Sequence, residues 1–197
     1  MVNHLTREDL FSLEKYSEIR NEFRSRVMEH KKDRRVAVGD HAALYFEDAL
    51  TMQYQVQEML RIEKIFDAKG IQEELDVYNS LIPDGSNWKA TFMIEYEDEQ
   101  ERKQALSRLI GIEKQLWVQV ADCEPVFAIA NEDLERETEE KTSSVHFVRF
   151  ELSPEMVKLA LNGEKIAMGI DHQAYKYRVD SVSKGVHQSL IKDLEIR

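Results

Sequence analysis

The chain has 197 residues, and its 42% hydrophobic content is enough to bury a core in one large domain or two small ones. Its 38 acidic and 27 basic residues give a formal net charge of −11, which repels phosphates and anionic lipid headgroups, so neither nucleic acid nor a membrane is an expected partner. The single cysteine, Cys123, excludes an intrachain disulfide, and with no signal-like start and no apolar window of roughly 18 residues we expect a cytoplasmic protein.

The first predicted element is a long amphipathic helix. Ser12 can cap it, and apolar residues then recur every three or four positions. These apolar residues are Leu13, Tyr16, Ile19, Phe23 and Val27. The far end of this helix, near Phe23 and Val27, is the natural place for a symmetric contact between two copies. Two short strands are predicted around Gly39 and Asp40, because this dipeptide suits a tight hairpin turn.

A second strong helix is predicted from Ala49 to Phe66, and it carries a polar stripe among apolar residues. At roughly 100° per residue, Thr51, Gln55 and Glu58 project in one direction. A carboxylate among apolar neighbours is costly unless it is paired, and Arg61 lies at the i,i+3 position from Glu58. Two interpretations stay open: the stripe is the floor of a polar pocket, or an arginine satisfies Glu58 and the pair orders helix packing.

The opposite side of the same helix carries Gln53 and Gln57, which we expect to face solvent. The end of the helix is predicted near residues 69–70, because a glycine at that point can terminate a helix. A further short helix is predicted over residues 71–81. The N-terminal half of the chain is therefore expected to be rich in helices.

Proline and glycine mark a possible sub-boundary near residues 82–88, inside a single domain that spans residues 1–197. Beyond it, strands dominate, and several neighbouring strands are joined by turns too short for a parallel crossover. A helix over residues 98–114 is expected to turn Leu109 and Ile110 inward. These features predict an α+β fold with a mostly antiparallel sheet, helices packed on one face and a helix-rich N-terminal half.

The predicted strand of residues 144–152 places charges where a core strand usually has apolar groups. One face carries Phe147, Arg149 and Glu151, and the other carries His146, Val148 and Phe150. This pattern fits a half-exposed strand with an arginine–glutamate pair or the wall of a polar pocket. The six histidines show no metal-ligand spacing, and the acidic run from Glu132 to Glu140 is expected to be solvated surface because it lacks the spacing of a calcium loop.

Two strings of the sequence are distinctive: YFEDALTMQYQVQEMLRIEKIF, which continues through IQEELDVYNSLIPDG, and NEDLERETEEKTSSVHFVRFELSPEM. On these strings the chain resembles, over nearly its whole length, a bacterial family known as domain of unknown function 3501. The resemblance implies no established activity. It implies companionship, by gene neighbourhood, with rubrerythrin-like and iron–sulfur redox proteins, and hence a role beside peroxide or iron metabolism. It also implies that the two strings pack together, so that the helix stripe faces the charged strand.

Three functional hypotheses follow, since no catalytic or cofactor motif is present. The first is an interaction module whose N-terminal helices form a homodimer or bind a redox protein. The second is a metal-binding protein or an enzyme with a polar pocket formed by Glu58, Arg61, His146, Arg149 and Glu151, with Glu47 and Gln55 as further ligand-binding candidates. The third is structural, with the Glu58 ion pair holding the two halves together.

Overall fold

The computed structural model describes residues 4–132 and 140–196, which form six α-helices and nine β-strands. The helices are α1 (Leu13–Lys32), α2 (Ala49–Glu63), α3 (Ala68–Asn79), α4 (Glu99–Arg108), α5 (Pro154–Leu161) and α6 (Lys184–Leu190). The strands are β1 (Arg35–Ala37), β2 (Ala42–Phe46), β3 (Asn87–Ile94), β4 (Leu116–Val120), β5 (Val126–Phe127), β6 (Ile129–Ala130), β7 (Val145–Glu151), β8 (Ile166–His172) and β9 (Tyr175–Val179). The α+β fold with a helix-rich N-terminal half is confirmed.

The strands form two antiparallel sheets, in the orders β1-β2-β3-β7-β6 and β5-β4-β8-β9. β5 and β6 are consecutive in the chain and lie on either side of Ala128. β5 pairs with β4 of the four-stranded sheet, and β6 pairs with β7 of the five-stranded sheet. The backbone N–H of Ala128 donates to the carbonyl of Leu116 at 2.9 Å. A single bent segment therefore passes from one sheet to the other and joins them at a corner.

A second link between the sheets is made by Tyr175 of β9. Its hydroxyl donates to the carbonyl of Val38 at 2.9 Å and accepts from the N–H of His41 at 3.1 Å, both in the β1–β2 turn. Burial raises the pKa of Tyr175 to about 12. Gly39 lies between Val38 and His41 and has φ +82°, and a Cβ at Gly39 would lie 2.6 Å from the Tyr175 hydroxyl. The turn therefore requires glycine for both its backbone conformation and its packing.

The main hydrophobic core lies between the inner faces of the two sheets and is closed by α5 and α6. From the sheets it includes Leu44, Phe46, Trp88, Phe92, Phe150, Leu116, Val118, Ile166 and Met168. The buried indole of Trp88 donates to the carbonyl of Leu190 at 3.0 Å, which fixes the C-terminal helix against β3. Alternate residues of β2, β3 and β7 point away from this core onto the outer face of the five-stranded sheet.

The N-terminal helices have their own apolar clusters, separate from the core between the sheets. Phe23 and Val27 of α1 are buried, and Leu50 and Tyr54 of α2 pack against their cluster. Phe23 and Val27 are therefore covered by α2 and do not offer the apolar surface expected for a symmetric contact, while the homodimer itself stays a prediction. No helix in the described part of the chain is long and apolar enough to span a bilayer.

Residues 4–12 form an N-terminal arm that covers the side of α2 predicted to face solvent. Gln57 is fully buried, and its side chain accepts from the N–H of Phe11 at 2.6 Å. Gln53 donates to the carbonyl of Asp9 at 2.5 Å. The prediction of a solvated glutamine side is therefore wrong, because the amide groups of these side chains satisfy the backbone of the arm.

Two helix boundaries differ from the predicted ones. α2 ends at Glu63 because Lys64 adopts a left-handed conformation, with φ 54° and ψ 45°. Asp67 then caps α3 by accepting from the N–H groups of Lys69 and Gly70, so residues 69–70 lie in the first turn of a helix and do not end one. α4 ends at Arg108, and Ile110 beyond it is 37% exposed, contrary to its expected inward position.

The acidic run, predicted to be solvated surface, falls mostly on residues 133–139, which lie outside the described ranges. The end of α1 and the residues after it, HKKDRR at positions 30–35, are rich in basic side chains, and one of them is buried. Arg34 is 2% exposed, and its guanidinium donates to the carbonyls of Phe46 and Glu47 at 2.9 Å and to the Asp193 carboxylate at 2.6 Å. Arg34 therefore joins the end of α1 to β2 and to the C-terminal segment.

Candidate functional site

Glu58, the centre of the predicted polar stripe, lies between α1 and α2. Its two carboxylate oxygens accept from the hydroxyl of Tyr16 at 2.7 Å, from the guanidinium of Arg20 twice at 2.8 Å and from Arg61 at 3.2 Å. The hydrogen bond from Arg20, with those from Tyr16 and Arg61, lowers the pKa of Glu58 to about 2 against the opposing effect of burial. Both oxygens are therefore engaged within the protein, as in the structural hypothesis.

The rest of the stripe is divided among different neighbours. Thr51 is buried and exchanges hydrogen bonds with Asp48, the residue that caps α2. Gln55 forms a hydrogen bond with Tyr78 of α3. Burial raises the pKa of Tyr78, and the hydrogen bond with Gln55 partly offsets this increase. The stripe thus contacts the helix cap, α3 and α1 in turn, and it is not the floor of one pocket.

His146 lies on the inner face of β7 and is fully buried. One ring nitrogen is 3.0 Å from the hydroxyl of Thr142 and from the carbonyl of Ser143, and the other is 3.1 Å from the Asn131 amide. Among the described residues the hydrogen bonds of Glu58 run to α1 and α2, whereas those of His146 run to residues 131, 142 and 143, so different elements hold the two side chains. The predicted five-residue pocket is divided between two parts of the fold.

Three other predicted residues, Glu47, Arg149 and Glu151, lie on the outer face of the five-stranded sheet, and of these Arg149 and Glu151 are in contact. Glu47 follows β2, and its N–H donates to the carbonyl of Lys89 at 2.9 Å, while Lys89 pairs in register with Arg149 of β7. The guanidinium of Arg149 donates to both oxygens of Glu132, at 2.9 and 3.0 Å, and to Glu151. The arginine–glutamate pair expected on this strand is therefore present, with Glu132 as a further partner.

Glu47 has the least satisfied carboxylate of this outer face. It is 5% exposed, and its Oε1 accepts from the hydroxyl of Thr91 at 2.7 Å. Its Oε2 is buried and has no hydrogen-bond partner among the described residues. The neighbouring Lys89 donates instead to the carbonyl of Ser80 at 2.7 Å, and burial lowers its pKa. An unpaired buried carboxylate oxygen is uncommon and marks a candidate position for a small polar ligand.

The outer face does not have the donors of a metal centre. In residues 4–132 and 140–196 no three His, Cys, Asp or Glu side chains converge closely enough to hold a metal ion. Lys89 and then Arg149 follow Glu47 along the same row of the sheet, on the side of β3 and β7, and their positive charges would oppose a bound cation. The donor set therefore suits a ligand that gives a hydrogen bond better than it suits a metal.

A larger candidate site lies on the N-terminal helices, and we call it the apolar groove. It is a cleft of about 370 Å³ between the N-terminal arm, the first turn of α1 and the connection from α2 to α3. Its apolar lining consists of Leu10, Phe11, Leu13, Leu60, Ile65 and Ile71. Phe66 stands at its edge with 72% of its surface exposed, and Ile62 in the last turn of α2 is 56% exposed.

Two charged residues complete the rim of the apolar groove. Arg7 comes from the arm and Glu14 from the first turn of α1, and both side chains are exposed. Neither side chain has a hydrogen-bond or ion-pair partner in the part of the chain that the structure describes. Sequence reasoning noted the apolar residues at the end of α2, but it could not place the arm, which supplies the opposite wall.

Comparisons with known proteins agree with the family resemblance. The family model described as protein of unknown function (DUF3501) matches residues 4–194. The crystal structure of a novel protein of unknown function from Burkholderia pseudomallei K96243 is similar to this chain, with 50% sequence identity and a TM-score of 0.92. The match covers 98% of this chain and 100% of the other one. No curated protein matches the chain.

Proposed function

Since the chain belongs to DUF3501, a family of proteins of unknown function, we propose from its own surface that it is a protein-interaction module that docks through the apolar groove. One observation carries the proposal: the Phe66 ring, 72% exposed, stands beside a cleft lined by aliphatic side chains. Exposed aromatic residues next to apolar pockets are typical of the centres of protein interfaces.

The apolar side chains at the groove contact water in the isolated chain, and a partner that covers them removes that contact. Burying one large apolar side chain is favourable by about 1.5–3 kcal/mol. Phe66 is mostly exposed, and the cleft beside it offers further apolar surface. A partner that covers this surface gains free energy from several side chains at once.

The groove is also formed before any partner arrives, because side-chain amides fix the N-terminal arm. The Asn79 side chain accepts from the N–H of Leu5 at 2.7 Å and donates to its carbonyl at 2.9 Å. Gln57 holds Phe11 in the same way, at 2.6 and 3.4 Å. A preformed surface loses little conformational entropy on binding, which favours association.

Photo-cross-linking tests the docking surface. We would replace Phe66 with p-benzoylphenylalanine in the producing cells, irradiate them and identify the cross-linked protein by mass spectrometry. Phe127 is the matched control, because it is also an exposed phenylalanine, at 50%, and lies on β5 outside the groove. We expect one dominant, identified partner from position 66 and none from position 127.

A second substitution makes the cross-link specific to the groove. Leu13→Asp places a charge in the lining at the first residue of α1, where the helix dipole favours an acidic side chain. The fold should therefore be kept, as circular dichroism would check, while the cross-link from position 66 is lost. Equal cross-linking from positions 66 and 127, or a cross-link unaffected by Leu13→Asp, would overturn the proposal.

A second candidate function is the binding of a small polar ligand on the outer face of the sheet, and the unpaired Oε2 of Glu47 favours it. This oxygen would accept a hydrogen bond from an N–H or O–H group of the ligand. Native mass spectrometry of untagged protein should then show an added mass that is absent in Glu47→Gln and kept in Glu58→Gln. An unliganded mass in the wild-type protein would count against this candidate.

A further inference from the structure

We infer that the occupant of the apolar groove is the same groove of a second copy of this chain, in a two-fold symmetric dimer that places each Phe66 in the cleft of the other copy. The inference rests on the proposed function, since it names the partner of that docking surface. A two-fold interface brings one patch against itself, so the patch must be self-complementary. The following features of the groove meet that condition.

The first feature is that a projecting side chain and a receiving cleft lie on one surface. Phe66 projects at the edge of the cleft, and Leu10, Leu13 and Ile71 line the space beside it. Two-fold rotation about an axis at this edge brings the ring of each copy toward the cleft of the other. The two rings and the two clefts are then buried by one contact.

The second feature is the charge at the rim. The net charge of −11 makes two copies repel each other over most of their surface. At the groove, however, Arg7 and Glu14 provide one charge of each sign, and neither has a partner within the described residues. In a two-fold dimer Arg7 of each copy can pair with Glu14 of the other. The two rim charges therefore sum to zero and are complementary to the same two charges on a second copy.

The third feature is rigidity, which makes symmetric docking possible without folding of either copy. The arm that carries Arg7 is held by Gln53, Gln57 and Asn79, and Glu14 lies on a 20-residue helix. The backbone positions that carry the two rim charges are thus held before association. The ion pairs across the interface then need little ordering of the backbone.

Sedimentation equilibrium of the full chain tests the inference. We expect a dimer for the wild-type protein and a dissociation constant raised at least about thirtyfold in Phe66→Ser, as for a central aromatic residue of an interface. Phe127→Ser should leave the dissociation constant unchanged, because Phe127 lies on the four-stranded sheet. Circular dichroism of each variant would check that the fold is retained.

Charge exchange gives a second readout that a folding defect would not imitate. Arg7→Glu alone should weaken the dimer about tenfold, because it sets like charges against each other across the two-fold axis. The double variant Arg7→Glu with Glu14→Arg should restore the wild-type constant, since it only reverses the direction of each ion pair. A double variant no tighter than the single one would overturn the inference.

The remaining outcomes separate this inference from the proposed function. A wild-type monomer at about 100 μM, well above the dissociation constants of specific homodimers, would overturn the inference. If position 66 then cross-links to a different identified protein, the groove is still a docking surface and only the identity of its partner is wrong. A dimer that persists unchanged in Phe66→Ser uses another face, and this too overturns the inference.

Discussion

Arg20 of α1 and Glu58 of α2 form a two-pronged ion pair, with both N···O distances at 2.8 Å. The carboxylate is 12% exposed and the arginine side chain 32%. Tyr16, fully buried one turn before Arg20, donates to the same carboxylate, and burial together with this hydrogen bond raises the pKa of Tyr16. The pair therefore joins two helices through groups that are 38 positions apart in sequence.

Glu58→Gln is expected to lower the free energy of unfolding at pH 7 by about 1–3 kcal/mol, the range for hydrogen bonds to a charged group. The loss should stay below the value for a fully buried pair because Arg20 and Arg61 remain partly in water. Urea unfolding measures it. Glu95→Gln is the matched control, because Glu95 pairs with Arg35 at 3.1 Å with both side chains about 40% exposed, and should cost under about 1 kcal/mol. Equal losses in the two variants would contradict this prediction.

The contribution of Glu58 should depend on pH in a defined direction. The pKa of this carboxyl is about 2 in the folded protein, mainly because of the Arg20 hydrogen bond, and 4.5 is its ordinary value. A lowered folded pKa means that the stabilisation is complete above pH 4.5 and is lost as the pH falls toward 2. The difference in unfolding free energy between wild type and Glu58→Gln should therefore shrink over that interval. A difference that stays constant from pH 5 to pH 3 would contradict the ion pair.

Asp193 should have the opposite pH dependence. Burial raises its pKa to about 6 from the ordinary 3.8, and this effect exceeds the attraction of Arg34, 2.6 Å away. A raised folded pKa means that the stabilising protonated form is complete below pH 3.8 and is lost as the pH rises through 6. Relative to Asp193→Asn, the wild-type protein should lose on the order of 2–3 kcal/mol of unfolding free energy over this interval. Denaturant titrations at several pH values measure it, and a flat difference would contradict burial of the acid.

Gly39→Ala tests the link between the β1–β2 turn and β9. The added methyl group would meet the Tyr175 hydroxyl at 2.6 Å and the Tyr177 ring at 2.7 Å, at a φ of +82°. We expect a loss of about 2–4 kcal/mol of unfolding free energy, from backbone strain and overpacking together. Gly111→Ala is the control, because it has the same φ of +82° and nothing within 4 Å of the new Cβ.

The control variant Gly111→Ala should cost only about 1 kcal/mol, since it has the backbone strain without the clash. Thermal unfolding of the two variants compares them directly. If both variants lower the melting temperature equally, the turn does not pack on the tyrosines as described. A larger effect of Gly39→Ala would support the Tyr175 link between the two sheets.

Local signals in the sequence predicted most of the elements correctly. Ser12 and Ser153 accept hydrogen bonds from the first turns of α1 and α5, as N-cap residues do. The period-2 pattern of β7 placed Arg149 and Glu151 on one face, and the i,i+3 spacing predicted the contact of Glu58 with Arg61. Each of these interactions spans a few residues, so backbone geometry alone specifies it.

The predicted pocket failed because its assembly depended on long-range pairing. Glu58 is bonded to Arg20, a partner 38 positions away that no local pattern indicates. Gln57 was expected in solvent because nothing in the helix pattern shows that Phe11 of the arm lies over it. Arg34 follows the end of a helix, where basic residues are common, yet it binds Asp193 near the other end of the chain.

What the sequence by itself determined is the class of the fold, the family and which residues share one side of a helix or strand, because periodicity and capping act within one element. Only the tertiary structure decided which faces meet. The sheet order β2-β3-β7 brought Glu47 into a row with Lys89 and Arg149. The folding of the arm onto α2 made a groove beside Phe66. Both depend on contacts between residues far apart in sequence, whose formation is governed by the burial of the whole chain and not by any local preference.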